Sequence, residues 1–312
     1  MVPAIIIGVL VLGLVGLSVM LQGRHGHQPD GEFITVDGIQ LHYSITGPES
    51  APVVLVLHGA SSHFAETRLA LEDDLTDFRA IWLDRPGLGW SERPDGYWTP
   101  EREAALIAGF IGELDISSAY LIGQSWGAAI SLRALMDHPE TFKGAVLVAP
   151  ALRAWVGESA YYNALSNWPV VGPVFTRLIV PIVGPSQLPG GVASSFHPEP
   201  VPERYIEDTK LARVLDAGPW RANAADMADV NLHLAAQEER YHEVSQPVIL
   251  LAGPDDTVVF THRHAEPVAQ TVQNGELRLI EGAGHNLHHW HGDAVRQALS
   301  DVLARAESDV QN

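Results

Sequence analysis

Residues 119–137 read AYLIGQSWGAAISLRALMD, and the order of residue types within them decides the fold. The run Ala119–Ile122 is apolar and suits a strand covered on both faces. Gly123-Gln124-Ser125-Trp126-Gly127 follows at once, and Ala128 onward carries the apolar spacing of a helix. A strand that becomes a helix within so few residues needs a tight turn. The positions flanking its apex must then be small, and the apex side chain is pushed out at the end of the strand. That apex is Ser125. The helix starting there points its N-terminal amides at charge developing near the hydroxyl.

Outward from this turn, strands are expected at Phe33–Val36, Ile39–Thr46, Val53–Leu57, Arg79–Leu83, Ala119–Ile122, Ala145–Val148, Val248–Leu251 and Leu277–Ile280. Helices are expected near 64–75, 100–114, 126–137, 258–272 and 292–306. The second of these begins Thr99-Pro100-Glu101, a capping hydroxyl followed by proline in the first turn. Strands alternating with helices predict an α/β protein built on a mostly parallel eight-stranded sheet with helices on both faces. The alternation stops between Ala151 and Gln246, a block rich in proline, Trp and Tyr with helical patches. It predicts a helical cap inserted after the sixth strand. The resulting division is 1–22, an N-terminal segment; 23–150, the first part of the core; 151–246, the cap; and 247–312, the rest of the core. Within the cap, Trp168–Pro185 (WPVVGPVFTRLIVPIVGP) has Arg177 as its only charge. Such a segment is ordinary packing, an acyl-binding wall or a membrane-facing lip.

A serine hydroxyl is a poor nucleophile near neutral pH, so a base and a group that orients it must accompany Ser125. Pro247–Gly253 reads as a strand, with Asp255 and Asp256 just past its end, where catalytic groups of open α/β sheets gather. After the next strand comes Glu281-Gly282-Ala283-Gly284-His285, whose glycines allow the loop to fold back towards the serine. The order Ser, Asp, His suits an acyl-transfer triad on this architecture. The backbone N–H of Trp126, which follows the serine, is one candidate donor to an oxyanion.

With these residues in view, the chain resembles the α/β-hydrolase superfamily, in the lid-bearing branch of esterases, lactonases, carbon–carbon bond hydrolases and proline iminopeptidases. The resemblance rests on Leu57-His58-Gly59-Ala60, Asp84-Arg85-Pro86-Gly87-Leu88-Gly89-Trp90-Ser91, the serine turn and Gly284-His285. It implies Ser125 as nucleophile, His285 as base and, from a G-x-x-D pattern, Asp256 in preference to Asp255 as the acid. It also implies Ala60 N–H as the second oxyanion donor, a structural role for His58, and a loop-bracing role for Asp84 and Arg85. The activity implied is hydrolysis of an ester-like bond in a small, apolar substrate. Carbon–carbon bond hydrolysis and lactone opening use the same triad, and a non-catalytic binding protein on the same fold is the alternative of another class. Serine at position 125 argues against epoxide hydrolases and haloalkane dehalogenases, which resemble the chain elsewhere but attack through aspartate.

Composition narrows the field. The 312 residues suit one domain of roughly 250–290 residues plus a short segment. A net charge of −19, from 38 acidic and 19 basic residues, repels phosphate backbones and argues against nucleic acid. There is no cysteine, hence no disulfide and no thiolate chemistry. Histidines 285, 288, 289 and 291 cluster, but no adjacent cysteine or acid completes a metal-ligand pattern, so neither metal nor cofactor is expected and the later histidines read as a solvated loop. Val2–Leu21 is uncharged and long enough to span a bilayer. No Lys or Arg precedes it, which favours a membrane anchor over a cleaved signal peptide with secretion or periplasmic release, and Arg24 beyond it leans the remainder towards the cytoplasmic side.

Overall fold

The computed structural model describes Gly13, Gly16, residues 28–155 and residues 160–310. The expected anchor or signal segment, residues 1–22, otherwise lies outside the described residues.

Eight strands form one sheet: β1 (Glu32–Val36), β2 (Ile39–Thr46), β3 (Val53–Leu57), β4 (Arg79–Leu83), β5 (Ala119–Gln124), β6 (Phe142–Val148), β7 (Pro247–Ala252) and β8 (Asn274–Leu279). Their spatial order is β1-β2-β4-β3-β5-β6-β7-β8. The first two strands run antiparallel to their neighbours, and from β4 onward every pairing is parallel. Parallel strands need covering on both faces, and β3 shows how the sequence provides it. Leu55 and Leu57 enter one core with Ile107 and Phe110, whereas Val54 and Val56 enter the opposite core with Phe64 and Leu299. The strand period of two thus converts a continuous apolar run into two half-cores.

Helices α1 (Phe64–Leu71), α2 (Pro100–Glu113) and α3 (Trp126–Asp137) precede the sixth strand. The Thr99 hydroxyl accepts from the Arg102 amide at 3.2 Å, so the expected cap of α2 forms. Between β6 and β7 the described chain is helical: α4 (Tyr161–Asn167), turns over Val171–Val174 and Phe175–Ile179 leading into α5 (Val180–Phe196), then α6 (Ala217–Ala228) and α7 (Val230–Glu238). This insertion has a small core of its own around Val180, Val192, Phe196, Leu211 and Leu215. Helices α8 (Ala265–Thr271) and α9 (Gly292–Val310) complete the fold.

Two expectations require correction. The helix anticipated from residue 258 begins at Ala265, because the Asp256 carboxylate accepts from the amides of Val258 and Val259 at 2.8 and 2.9 Å and turns that stretch into a loop. Strand β8 starts at Asn274, before Leu277, and ends at Leu279; its Glu276 and Arg278 pair with Arg305 and Asp301 of α9. An edge strand with polar side chains carries little apolar signal.

The serine turn between β5 and α3 is crowded. A Cβ on Gly127 would stand 2.3 Å from Leu57 O and 2.7 Å from His58 O, and one on Gly123 would stand 2.4 Å from Ser131 Oγ. Backbone cannot retreat as a flexible side chain can. We expect Gly127→Ala to destabilise the fold by about 1–3 kcal/mol, read as a fall of several degrees in Tm; an unchanged Tm would contradict this packing.

Candidate active site

Ser125 occupies φ 52° and ψ −115°, a backbone region that non-glycine residues avoid. It is buried, and so are Asp256 (3% exposed) and His285. Ser125 and His285 line one cavity of about 1210 Å³, together with Ala60 and Trp126. Each stands at the carboxyl edge of the sheet: Ser125 after β5, Asp256 after β7, His285 after β8.

The pairing of acid and base is direct. His285 Nδ1 lies 2.8 Å from Asp256 Oδ2, while Asp256 Oδ1 takes the amides of Val258 and Val259. Neighbouring Asp255 is exposed, so the structure separates the two carboxylates that the sequence leaves side by side. With Nδ1–H donated to Asp256, the lone pair of Nε2 is open to accept a proton. Gln124 Nε2 approaches that nitrogen at 3.5 Å, a long contact from a residue with no mark in the sequence. No hydrogen bond joins the Ser125 hydroxyl to His285 among the described residues; such contacts commonly tighten only when substrate is bound.

The loop after β3 faces the serine closely. A Cβ on Gly59 would stand 2.2 Å from Gln124 Oε1 and 3.0 Å from Ser125 Cβ. The amide of Ser61 is taken by Asn223 Oδ1 at 2.6 Å, whereas those of Ala60 and Trp126 have no partner among the described residues. Two unpartnered amides beside a serine can stabilise an oxyanion.

Asp84 and Arg85, adjacent in sequence, brace different loops. Asp84 receives His42 Nδ1 at 2.7 Å and the amides of Phe64 and Trp90, each at 2.8 Å. Buried Arg85 reaches Glu103 at 2.6 Å and Asp226 of α6 at 3.1 Å, tying the insertion to the core. The insertion also holds the loop that carries His285. Glu199 accepts from the Gly284 amide at 3.1 Å and lies 2.9 Å from His291 Nε2. Gly284 is required there, since a Cβ would meet His197 O at 2.1 Å.

The reading of the later histidines as a solvated loop is overturned. His288 is buried and the side chain of His289 is only 3% exposed, and their Nε2 atoms lie 2.9 and 2.6 Å from Glu66 Oε1, an acid 222 and 223 residues away in sequence. Burial alone would push the Glu66 carboxyl up, but the facing His288 and His289 overcome this and hold it well below its usual range. The donor atoms of these three residues lie within 4.8 Å of one another, so they could also hold a metal ion.

Compared with known proteins, residues 53–298 match the sequence model of the Alpha/beta hydrolase family. A haloalkane dehalogenase of Bradyrhizobium diazoefficiens is 25% identical over 291 residues, covering 87% of this chain and 93% of that protein. Among solved structures, a membrane phospholipase A described as a bacterial virulence factor is similar with a TM-score of 0.72 and 19% identity, over 98% of this chain and 96% of that one. The enol-lactonase of Burkholderia xenovorans LB400 is similar with a TM-score of 0.70 and 18% identity, over 88% of this chain and all (100%) of that one.

Two buried histidines near the site act as acceptors and so must stay neutral. His58 Nε2 accepts from the Arg85 amide at 3.1 Å, and His264 Nδ1 from the amides of Leu152 and Arg153 at 3.2 and 3.1 Å. Burial first, then nearby positive charge, lowers His58 from 6.5 to about 3 and His264 from 6.5 to about 4. The unfolded chain binds these protons near pH 6.5 and the folded chain refuses them, so their contribution is full above that pH and declines below it. From pH 7 to pH 5 we expect each to withdraw about 2 kcal/mol, seen as a marked fall in Tm; a flat Tm over this interval would refute the neutral assignment.

Proposed function

The chain belongs to the alpha/beta hydrolase family, and from that premise we propose that it is a serine hydrolase cleaving an ester-like bond of a small apolar substrate through an acyl-enzyme. The observation that carries this reading is the buried 2.8 Å contact between His285 Nδ1 and Asp256 Oδ2, in a cavity shared with Ser125. Asp256 holds the imidazole with Nε2 unprotonated. That nitrogen takes the Ser125 proton as Oγ attacks the carbonyl carbon. The amides of Ala60 and Trp126 receive the oxyanion. Collapse expels the alcohol, which leaves with the proton from His285. Water then attacks the acyl carbonyl with His285 again as base, releasing the acid and restoring Ser125.

The apolar substrate class is supported by the wall that the insertion contributes, including Phe175, Ile179, Val180, Leu188 and Leu211. In this reading residues 151–246 act as a cap that selects the substrate, and no metal or other cofactor takes part in the chemistry. Serine at position 125 sets the chain apart from relatives attacking through aspartate, and the membrane phospholipase A agrees best with a greasy acyl pocket. Among the described residues no single helix is long and apolar enough to cross a membrane. Anchoring rests on the uncharged run Val2–Leu21, which we assign as a membrane segment.

A fluorophosphonate probe is expected to label the native protein and to leave Ser125→Ala untouched; equal labelling of both would end the hydrolase reading, and so distinguish it from a binding protein. Among p-nitrophenyl esters, longer acyl chains should be preferred. Asp256→Asn should lower kcat by about 10⁴-fold, while Asp255→Asn should change it by less than about threefold. The reverse ranking would exchange their roles.

A further inference from the structure

We propose that the outer face of the insertion, over residues 161–183, rests on a lipid bilayer with the cavity mouth turned into the acyl region, so that acyl esters enter from the membrane. The entry route rests on the reading of the Ser125 cavity as an acyl-ester site; the bilayer contact does not.

Four observations converge on it. First, the face is apolar and open. Tyr161 is 80% exposed, Val170 78% and Trp168 58%, and Val171, Val174, Ile179, Ile182 and Val183 are exposed beside them. Contiguous surface of this kind marks an interaction site. Second, it carries little charge. Residues 161–196 contain no Asp or Glu, in a chain with 38, and Arg177 is their only charge. Third, the face runs into the cavity: Tyr161, Tyr162, Ile179 and Val183 are exposed and also line it.

Fourth, Gln28 lies against the insertion. The Gln28 carbonyl accepts from Lys210 Nζ at 3.4 Å, and the next residue, Leu211, lines the cavity. Only residues 22–27 separate Gln28 from the uncharged run ending at Leu21, a distance of at most about 25 Å fully extended. A bilayer holding that run would therefore be kept within reach of the insertion.

The face lies on the membrane and does not cross it. The stretches Tyr161–Asn167 and Val171–Phe196 have together the length and composition of a span, but they meet at 109°. Val180, Val192 and Phe196 on the inner side are buried in the insertion's own core. With its inner side packed in the protein, only the outer apolar side is left to meet lipid.

The full chain, reconstituted into phosphatidylcholine vesicles with brominated acyl chains, tests this by fluorescence. The difference between wild type and Trp168→Phe isolates Trp168, which should be quenched by bromine near the glycerol end of the chains. The variant Val170→Asp/Val174→Asp alters side chains that do not line the cavity and keeps the run Val2–Leu21. It should lose about tenfold or more of its activity on a long-chain ester held in vesicles, while keeping its rate on soluble p-nitrophenyl butyrate. An unquenched Trp168, whether open to water or covered by a second copy of the chain, overturns the proposal, as does full activity of the variant on the vesicle-held ester. Failure of fluorophosphonate to label wild type would sink the hydrolase reading alone, since quenching reports on the bilayer contact by itself.

Discussion

The carboxyl edge of the sheet is organised by the backbone of Ser125, held at φ 52° in a turn that leaves no room for a Cβ at Gly123 or Gly127. A residue kept in that region costs of order 1–3 kcal/mol, sustained only because its surroundings permit no relaxation. Those surroundings are specific. The Leu57 and His58 carbonyls press on Gly127, while Gln124 presses on Gly59. The loop bearing Ala60 and the helix bearing Trp126 are therefore fixed against each other by contacts that exist only if the turn is sharp. Position and exposure of the hydroxyl follow from sterics before any chemistry is considered.

Around this point the charges form nested supports. Asp256 spends one oxygen on its own loop and offers the other to His285. Asp84 ties together β2, the start of α1 and the loop at Trp90, and Arg85 carries the brace across to Asp226 in α6. Lone charges at this depth would be costly, but each carboxylate here has several donors, the condition under which buried ions are tolerated. The neutral histidines His58 and His264 belong to the same scheme, since each presents a lone pair to backbone amides.

Much of this was legible in the sequence because it is local. Apolar runs marked the central strands, β8 being misplaced in its bounds, and the glycines about Ser125 announced the turn that their absent side chains permit. The order of Ser125, Asp256 and His285 placed three groups at three strand ends. What escaped depends on distance along the chain. Nothing near His288 and His289 hints at Glu66 of α1. Asp226 and Glu199 sit in an insertion without periodic pattern, and their partners Arg85 and Gly284 lie in other elements. Residues 258–264 carry helical apolar spacing but form a loop, because their hydrogen bonds come from the Asp256 side chain, which such spacing cannot reveal.

The insertion is both self-contained and tethered, and this governs how such a molecule could be recombined. Its own core around Phe196 and Leu215 would travel with it into a chimaera. Its two acidic links would have to land correctly, Asp226 on the arginine after β4 and Glu199 on the amide preceding His285. A transplanted lid lacking Glu199 would free the loop of His285 even if it enclosed the new ligand well. Enclosing a new guest and holding the loop of His285 are thus separate demands, joined by one carboxylate.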